Sequence, residues 1–209
     1  SGARSICVRI ARATAAVKRT SMTKPVRERE FEFVLILDGV RELTREVEDA
    51  LFEAGCDDAT ISMRFGCVYL SFNRGAATFR EAVLGAIRDV RRAGIGASVA
   101  RSDECNLVTQ AEIARRIGKT RQLVHQYIIG QRGPGNFPAP DCQIVDGKPL
   151  WLWCDVADWL YKNGMVSQEE HERAVTIWAV NDILDERHRK QLHDPKLIEE
   201  VLQAVGGPA

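Results

Sequence analysis

Four side chains in one short stretch are suited to reading the edge of a nucleobase. Arg121, Gln122, His125 and Gln126 fall at helical spacing and share one face. An arginine can donate two parallel hydrogen bonds to guanine, and a glutamine can both donate to and accept from adenine. Lys119, Arg115, Arg116 and Arg132 lie around them, suited to neutralising phosphates. From Glu112 to Arg132 five cations (Arg115, Arg116, Lys119, Arg121, Arg132) stand against the single acid Glu112. The chain as a whole has formal net charge +0, so the basic character is local.

Those side chains need a rigid carrier. Thr109 and Glu112 form a capping box for a first helix, with Ile113, Ala114 and Ile117 on its apolar face. Gly118 suits a turn that needs a left-handed backbone. Thr120 caps a second helix, with Leu123, Val124, Tyr127 and Ile128 inward. A small residue, a glycine and a branched apolar anchor at Ala114, Gly118 and Val124 meet the spacing of a helix-turn-helix. A basic helix is also what an ordinary solvated face looks like, so the downstream segment carries much of the weight.

Downstream, Gly130 and Gly133-Pro134-Gly135 read as a flexible turn, and Phe137-Pro138-Ala139-Pro140 as extended chain. Gln143–Val145 and Lys148–Trp153 read as two short strands around Asp146-Gly147. Asp155 is expected to cap a helix with Val156, Trp159 and Leu160, and Trp151, Trp153 and Trp159 to be core anchors. This combination resembles the MerR-like winged helix-turn-helix of excisionase and AlpA-type regulators, over residues 107–162. The matching parts are the recognition helix, the F-P-x-P segment Phe137–Pro140, the hairpin ending in Trp151 or Trp153, and Asp155-Val156-Ala157-Asp158-Trp159. The resemblance implies double-stranded DNA as partner and a hairpin wing, with Lys148 near its tip, against the minor groove or backbone. In that family the DNA-binding unit usually sits near the N-terminus; here another module precedes it. The Gly-rich exit is also longer than the family pattern.

The preceding module reads β-α-β-β-α-β. Phe31–Leu37 is a buried strand closed by Asp38-Gly39. Leu43, Val47, Ala50, Leu51 and Ala54 fall at helical spacing before Gly55. Thr60–Phe65 and Cys67–Asn73 alternate around Gly66. Thr78 and Glu81 open a second helix ending at Gly94, and Ile95–Val99 is a last strand. That order is the ferredoxin-like one, which by itself carries no function. An RNA-binding version needs stacked aromatics on its open face. Of the third strand only Tyr69 is an outward aromatic, so RNA binding is set aside. Val34, Ile36, Cys67 and Tyr69 should share the open face, which suggests self-association or packing on the other module.

The expected fold class is α+β: a leader (1–30), a ferredoxin-like association or sensor domain (31–101), a winged helix-turn-helix (107–163) and C-terminal helices (167–205). The polar run Arg101–Asn106 marks the boundary. The leader holds Arg4, Arg9, Arg12, Lys18, Arg19 and Lys24 with no acid before Arg27, and is expected to be disordered. It reads as dispensable sequence ahead of Met22, as a phosphate-touching arm, or more weakly as a transit-like segment. Ser167 and Glu170 box a helix running to about Gln191, with an apolar stripe through Leu184 that packs on its own chain or forms a dimer contact; Pro195 starts a last one.

Composition excludes other classes. No run of about 18 apolar residues exists, so no membrane partner is expected. Six cysteines without a CxxC pair read as reduced thiols of a cytoplasmic protein. His188 and His193 have no neighbouring thiol to complete a zinc site, and no metal or cofactor is expected. No Walker loop, GxSxG or HExxH is present, and Asp57-Asp58 reads as a solvated pair, so no enzyme is expected. The expectation is a DNA-binding transcriptional regulator acting as a homodimer, since one reader covers few base pairs. The second reading is an antitoxin-like or phage-derived adaptor whose N-terminal domain binds a protein partner.

Overall fold

The computed structural model describes residues 6–9, 29–192 and 194–206. The fold is mixed α+β, with one larger antiparallel sheet, one two-stranded sheet and seven helices among those residues. Phe31, Phe33, Leu35 and Leu37 alternate inward along β2 (Arg29–Asp38), with Glu32, Val34 and Ile36 between them. β2 runs through the body of the sheet and pairs with both β4 (Cys67–Ala76) and β5 (Ser98–Ser102). β4 also pairs with β3 (Ala59–Arg64), through a turn in which Phe65 and Gly66 both have positive φ, 53° and 77°. Two such residues give the turn twist that a two-residue hairpin prefers. The sheet order is β1-β3-β4-β2-β5.

β1 (Ile6–Arg9) pairs with β3, so this part of the leader carries structure that an acid-free, Arg-bearing stretch does not suggest. The rest of the leader, and the His188–His193 pair as a pair, lie outside what is described.

α1 (Arg45–Glu53) and α2 (Phe79–Arg92) cover one sheet face. Leu51, Phe79, Ala82, Val83, Ala86 and Val90 bury themselves there against Leu35, Ile61, Val68, Leu70 and Phe72. Arg74, on the same face of β4, is also buried. Its guanidinium binds Asp58 at 2.7 and 2.9 Å, Asp89 at 2.8 Å and the Gly55 carbonyl at 2.7 Å. Asp58 is therefore a structural partner rather than a solvated turn acid. Burial pushes the neighbouring Cys56 thiol up to about 12.

The second core joins Val108, Ile113, Ala114, Val124, Trp151, Val156, Trp159 and Leu160. It is built from β6 (Leu107–Val108), α3 (Gln110–Arg116), α4 (Arg121–Ile128), β7 (Trp151–Leu152) and α5 (Trp153–Lys162). Two expectations change here. Residues 143–150 do not form a two-stranded hairpin. A single bridge joins Cys142 to Leu150, and β7 pairs with β6 instead. Pro149 has no N–H to give a ladder, and Gln143 has φ 55°, so neither arm can extend. α5 starts at Trp153 after Leu152, with no side-chain cap; Asp155 sits in its first turn, suited to the positive end of the helix.

α6 (Gln168–Leu192) ties the cores together. Its start is boxed by Ser167 and Glu170, each bonding the other's backbone N–H. Ile177 and Val180 belong to the sheet core. On the other side His171 stacks on Tyr161 of α5 at 4.7 Å and approaches Asp158. Asn181, 1% exposed, accepts from the Ser102 N–H at 2.8 Å and donates to the Glu104 carbonyl at 3.0 Å. Arg173 pairs with Glu104 and donates to the Glu32 carbonyl at 3.0 Å. The polar boundary segment is thus bonded along its length, and the expected own-chain packing of this helix is observed. α7 (Pro195–Ala204) has no buried residue. Five cysteines, Cys56, Cys67, Cys105, Cys142 and Cys154, are free thiols. Among the described residues no helix is long and apolar enough to cross a membrane.

Candidate nucleic-acid interface

The α3–α4 pair is fixed at both ends of both helices. Thr109 Oγ1 accepts from the Glu112 N–H and Thr120 Oγ1 from the Leu123 N–H, both at 3.2 Å. After α3, the Gly118 and Lys119 N–H groups bond the Arg115 and Ala114 carbonyls at 3.3 and 2.9 Å. The Gly130 and Gln131 N–H groups repeat this closure after α4, onto Tyr127 and Gln126. Gly118 has φ 62°, which a side chain would strain. Gln110 Nε2 donates to the Arg121 carbonyl at 2.8 Å, tying the starts of the two helices.

With Val124 fully buried, α4 can turn only one face to solvent. Arg121, Gln122 and His125 are exposed there and Gln126 is half-buried. Lys119 precedes the helix and Arg132 follows it, its N–H bonded to the Gln126 carbonyl at 3.1 Å. Eight residues at about 1.5 Å each separate these two cations by roughly 12 Å of helix. Among the described residues no ion pair involves Lys119, Arg121, Arg132 or Lys148, and all four are exposed. Lys148 stands on the 143–149 turn, closed by the Gly147 N–H onto the Ile144 carbonyl.

Arg115 and Arg116 are placed differently. Both bind Glu112, and hydrogen bonding from Arg115 first, then Arg116, holds the Glu112 carboxyl down at about 2. It therefore stays ionised at any physiological pH. Arg116 lies 4.8 Å over the Trp153 ring and donates to the Cys105 carbonyl. The two arginines line a cleft of about 520 Å³ whose other walls include Glu32, Val34, Glu104 and Arg173. Arg116 is held against Trp153 and the boundary segment, while Arg115 stays exposed beside Glu112.

The Gly-rich exit is pinned. Trp159 Nε1 donates to the Gly135 carbonyl at 2.9 Å and Trp151 Nε1 to the Pro138 carbonyl at 3.1 Å. Phe137 and Tyr127 pack on the Trp159 ring at 5.0 and 5.6 Å. A side chain at Gly133, where φ is 83°, would come within 2.9 Å of the Tyr127 ring. Trp151 and Trp159 are buried and Trp153 is partly buried against the same core.

Sequence reading missed Gln110, Arg173 and Asn181. Each acts through a contact distant in sequence or through a backbone carbonyl, so periodicity gives no sign of it. It also missed a second cavity, about 360 Å³, on the open sheet face, lined by Val34, Ile36, Arg64, Phe65, Cys67, Tyr69 and Asp103. Compared with known proteins, this chain matches no family model, no curated protein and no solved structure.

Proposed function

We propose that the chain is a sequence-selective double-stranded DNA-binding regulator. α3 and α4 form its helix-turn-helix, α4 is the recognition helix, and the 143–149 turn serves as a short wing. The observation that carries this reading is the exposed Arg121-Gln122-His125 face on a helix locked at both ends. Base-reading side chains are useful only where their backbone is rigid. Lys119 and Arg132 supply free cations at its two ends for phosphates. The closing α5 with its Trp159-centred core supports the MerR-like, excisionase-type resemblance. The wing is shorter than that family implies, and Lys148 remains its cation. The order β3-β4-β2-β5 with both helices on one face supports the ferredoxin-like reading of the first module.

The test is selection from a random duplex library followed by binding measurements over a salt series. A selected site, with preference reduced about tenfold or more in Arg121→Ala/Gln122→Ala, is the expected result, since each bidentate base contact discriminates by about 1–3 kcal/mol. No binding at low salt, or selectivity untouched by the double substitution, rejects the reading. The cavity on the open sheet face favours a second activity for the first module, association through that face.

A further inference from the structure

A large apolar side chain stands on the face of α4 that carries the candidate base-reading groups. Ile129, the residue that closes the helix, is 47% exposed. Its N–H bonds the His125 carbonyl at 3.0 Å, so the helical spacing of α4 runs through to it. Arg121, His125 and Ile129 therefore fall at i, i+4 and i+8, one row along the outward side. Gln122 and Gln126 form the row beside it. Val124, Tyr127 and Ile128 turn inward to the second core, whereas among the described residues Ile129 belongs to neither core.

A single exposed apolar residue is ordinary on a protein surface. What marks this one is its surroundings. Lys119 lies before the row and Arg132 beyond it, both exposed, and among the described residues neither has an ion-pair partner. The Arg132 N–H bonds the Gln126 carbonyl at 3.1 Å, which keeps this cation close to Ile129. Cations at both ends suit a polyanion lying along the row, and Ile129 then falls between the phosphate contacts, among base edges. The apolar group that a base pair presents in the major groove is the C5 methyl of thymine. A side chain without donor or acceptor can read that group and no other there.

We infer that Ile129 is a specificity-determining residue that packs on a thymine methyl. The inference rests on the DNA-binding reading above. From Arg121 to Ile129 the helix rises about 12 Å, three to four base-pair steps at about 3.4 Å each. The thymine therefore lies about three to four base pairs from the pair that Arg121 reads.

Deoxyuridine scanning tests it, with the full chain and a duplex selected from a random library. Deoxyuridine pairs as thymidine does and lacks only the methyl. Each thymine of the selected site is replaced in turn, and the dissociation constant is measured at fixed salt. At one thymine, at about the stated distance from the pair whose preference Arg121→Ala removes, replacement should weaken wild-type binding about fourfold, the worth of one buried carbon of apolar surface. Ile129→Ala should bind the unmodified site about as weakly and lose that sensitivity, while Ile129→Val keeps it. Misfolding would weaken binding to both duplexes alike and leave their ratio at the wild-type value, so the ratio isolates the contact. A selected site with no thymine at that distance, or a methyl effect that Ile129→Ala leaves unchanged, overturns the inference while the DNA-binding reading stands. Absence of any selective binding overturns both.

Discussion

Arg74 illustrates what a single side chain decides in this chain. A cation buried between two carboxylates and a carbonyl cannot be removed without leaving those partners uncompensated. Arg74→Ala should lower stability by about 3–5 kcal/mol, the usual range for breaking a buried pair, measurable by denaturant titration. Arg74→Met should cost less, because volume is kept. The sequence offers little sign of this, because an arginine at a strand position reads as an outward polar residue. Only the long-range meeting with Asp58 and Asp89 reverses that reading. Cys56 gives a companion measurement. Its buried thiol, held near 12, should resist thiol reagents at pH 8, whereas Cys67 and Cys105 are exposed and should be labelled. Glu112 works the other way, by neutralising two neighbouring cations, Arg115 and Arg116. Glu112→Gln should release Arg115 and Arg116 and make log affinity for any duplex fall more steeply with log salt. An unchanged slope would mean that the two arginines stay in their cleft.

Elements were legible in proportion to how local their determinants are. Capping threonines at 78, 109 and 120, and the Ser167 box, place four helix starts correctly, because a cap is a contact over three residues. The inward alternation of β2 and β4 is equally local. The two-stranded hairpin failed for a reason that was also local: Pro149 sits inside the stretch read as its second strand. α5 began three residues early because β7 delivers the chain directly into it. The Gly-rich exit after α4 looked flexible in composition, yet two indole N–H groups and the Tyr127 ring hold it. Trp159→Phe should therefore cost about 1 kcal/mol, one net hydrogen bond, with Gly133→Ala costing more because strain and overlap coincide there. Thermal melts would check both, and Gly133→Ala melting at or above wild type would contradict the packing described.

At the scale of the whole molecule, the order of the six elements from β2 through β5 was readable, but β1 and the place of α6 were not. Nothing in the run Gln168–Leu192 says that Ile177 and Val180 complete a core formed about a hundred residues earlier. Asn181→Leu should therefore be felt in both modules, because it leaves the Ser102 N–H and the Glu104 carbonyl without their partner. About 1–3 kcal/mol is the expected loss for each buried group left unpaired. One heat-absorption peak, with van't Hoff and calorimetric enthalpies equal, is the matching expectation for the intact chain. The same helix limits how the α3–α5 unit can be reused. Cutting the chain at residues 102–106 would strip Ile177 and Val180 from the sheet core of the first fragment and leave the second an apolar stripe with no sheet to face. A chimera that moves α3–α5 onto another module must carry α6 with it and redesign the surface that α6 then exposes. The unit that can be exchanged is therefore the full span of described residues from β2 through α6, whatever the sequence boundary suggests.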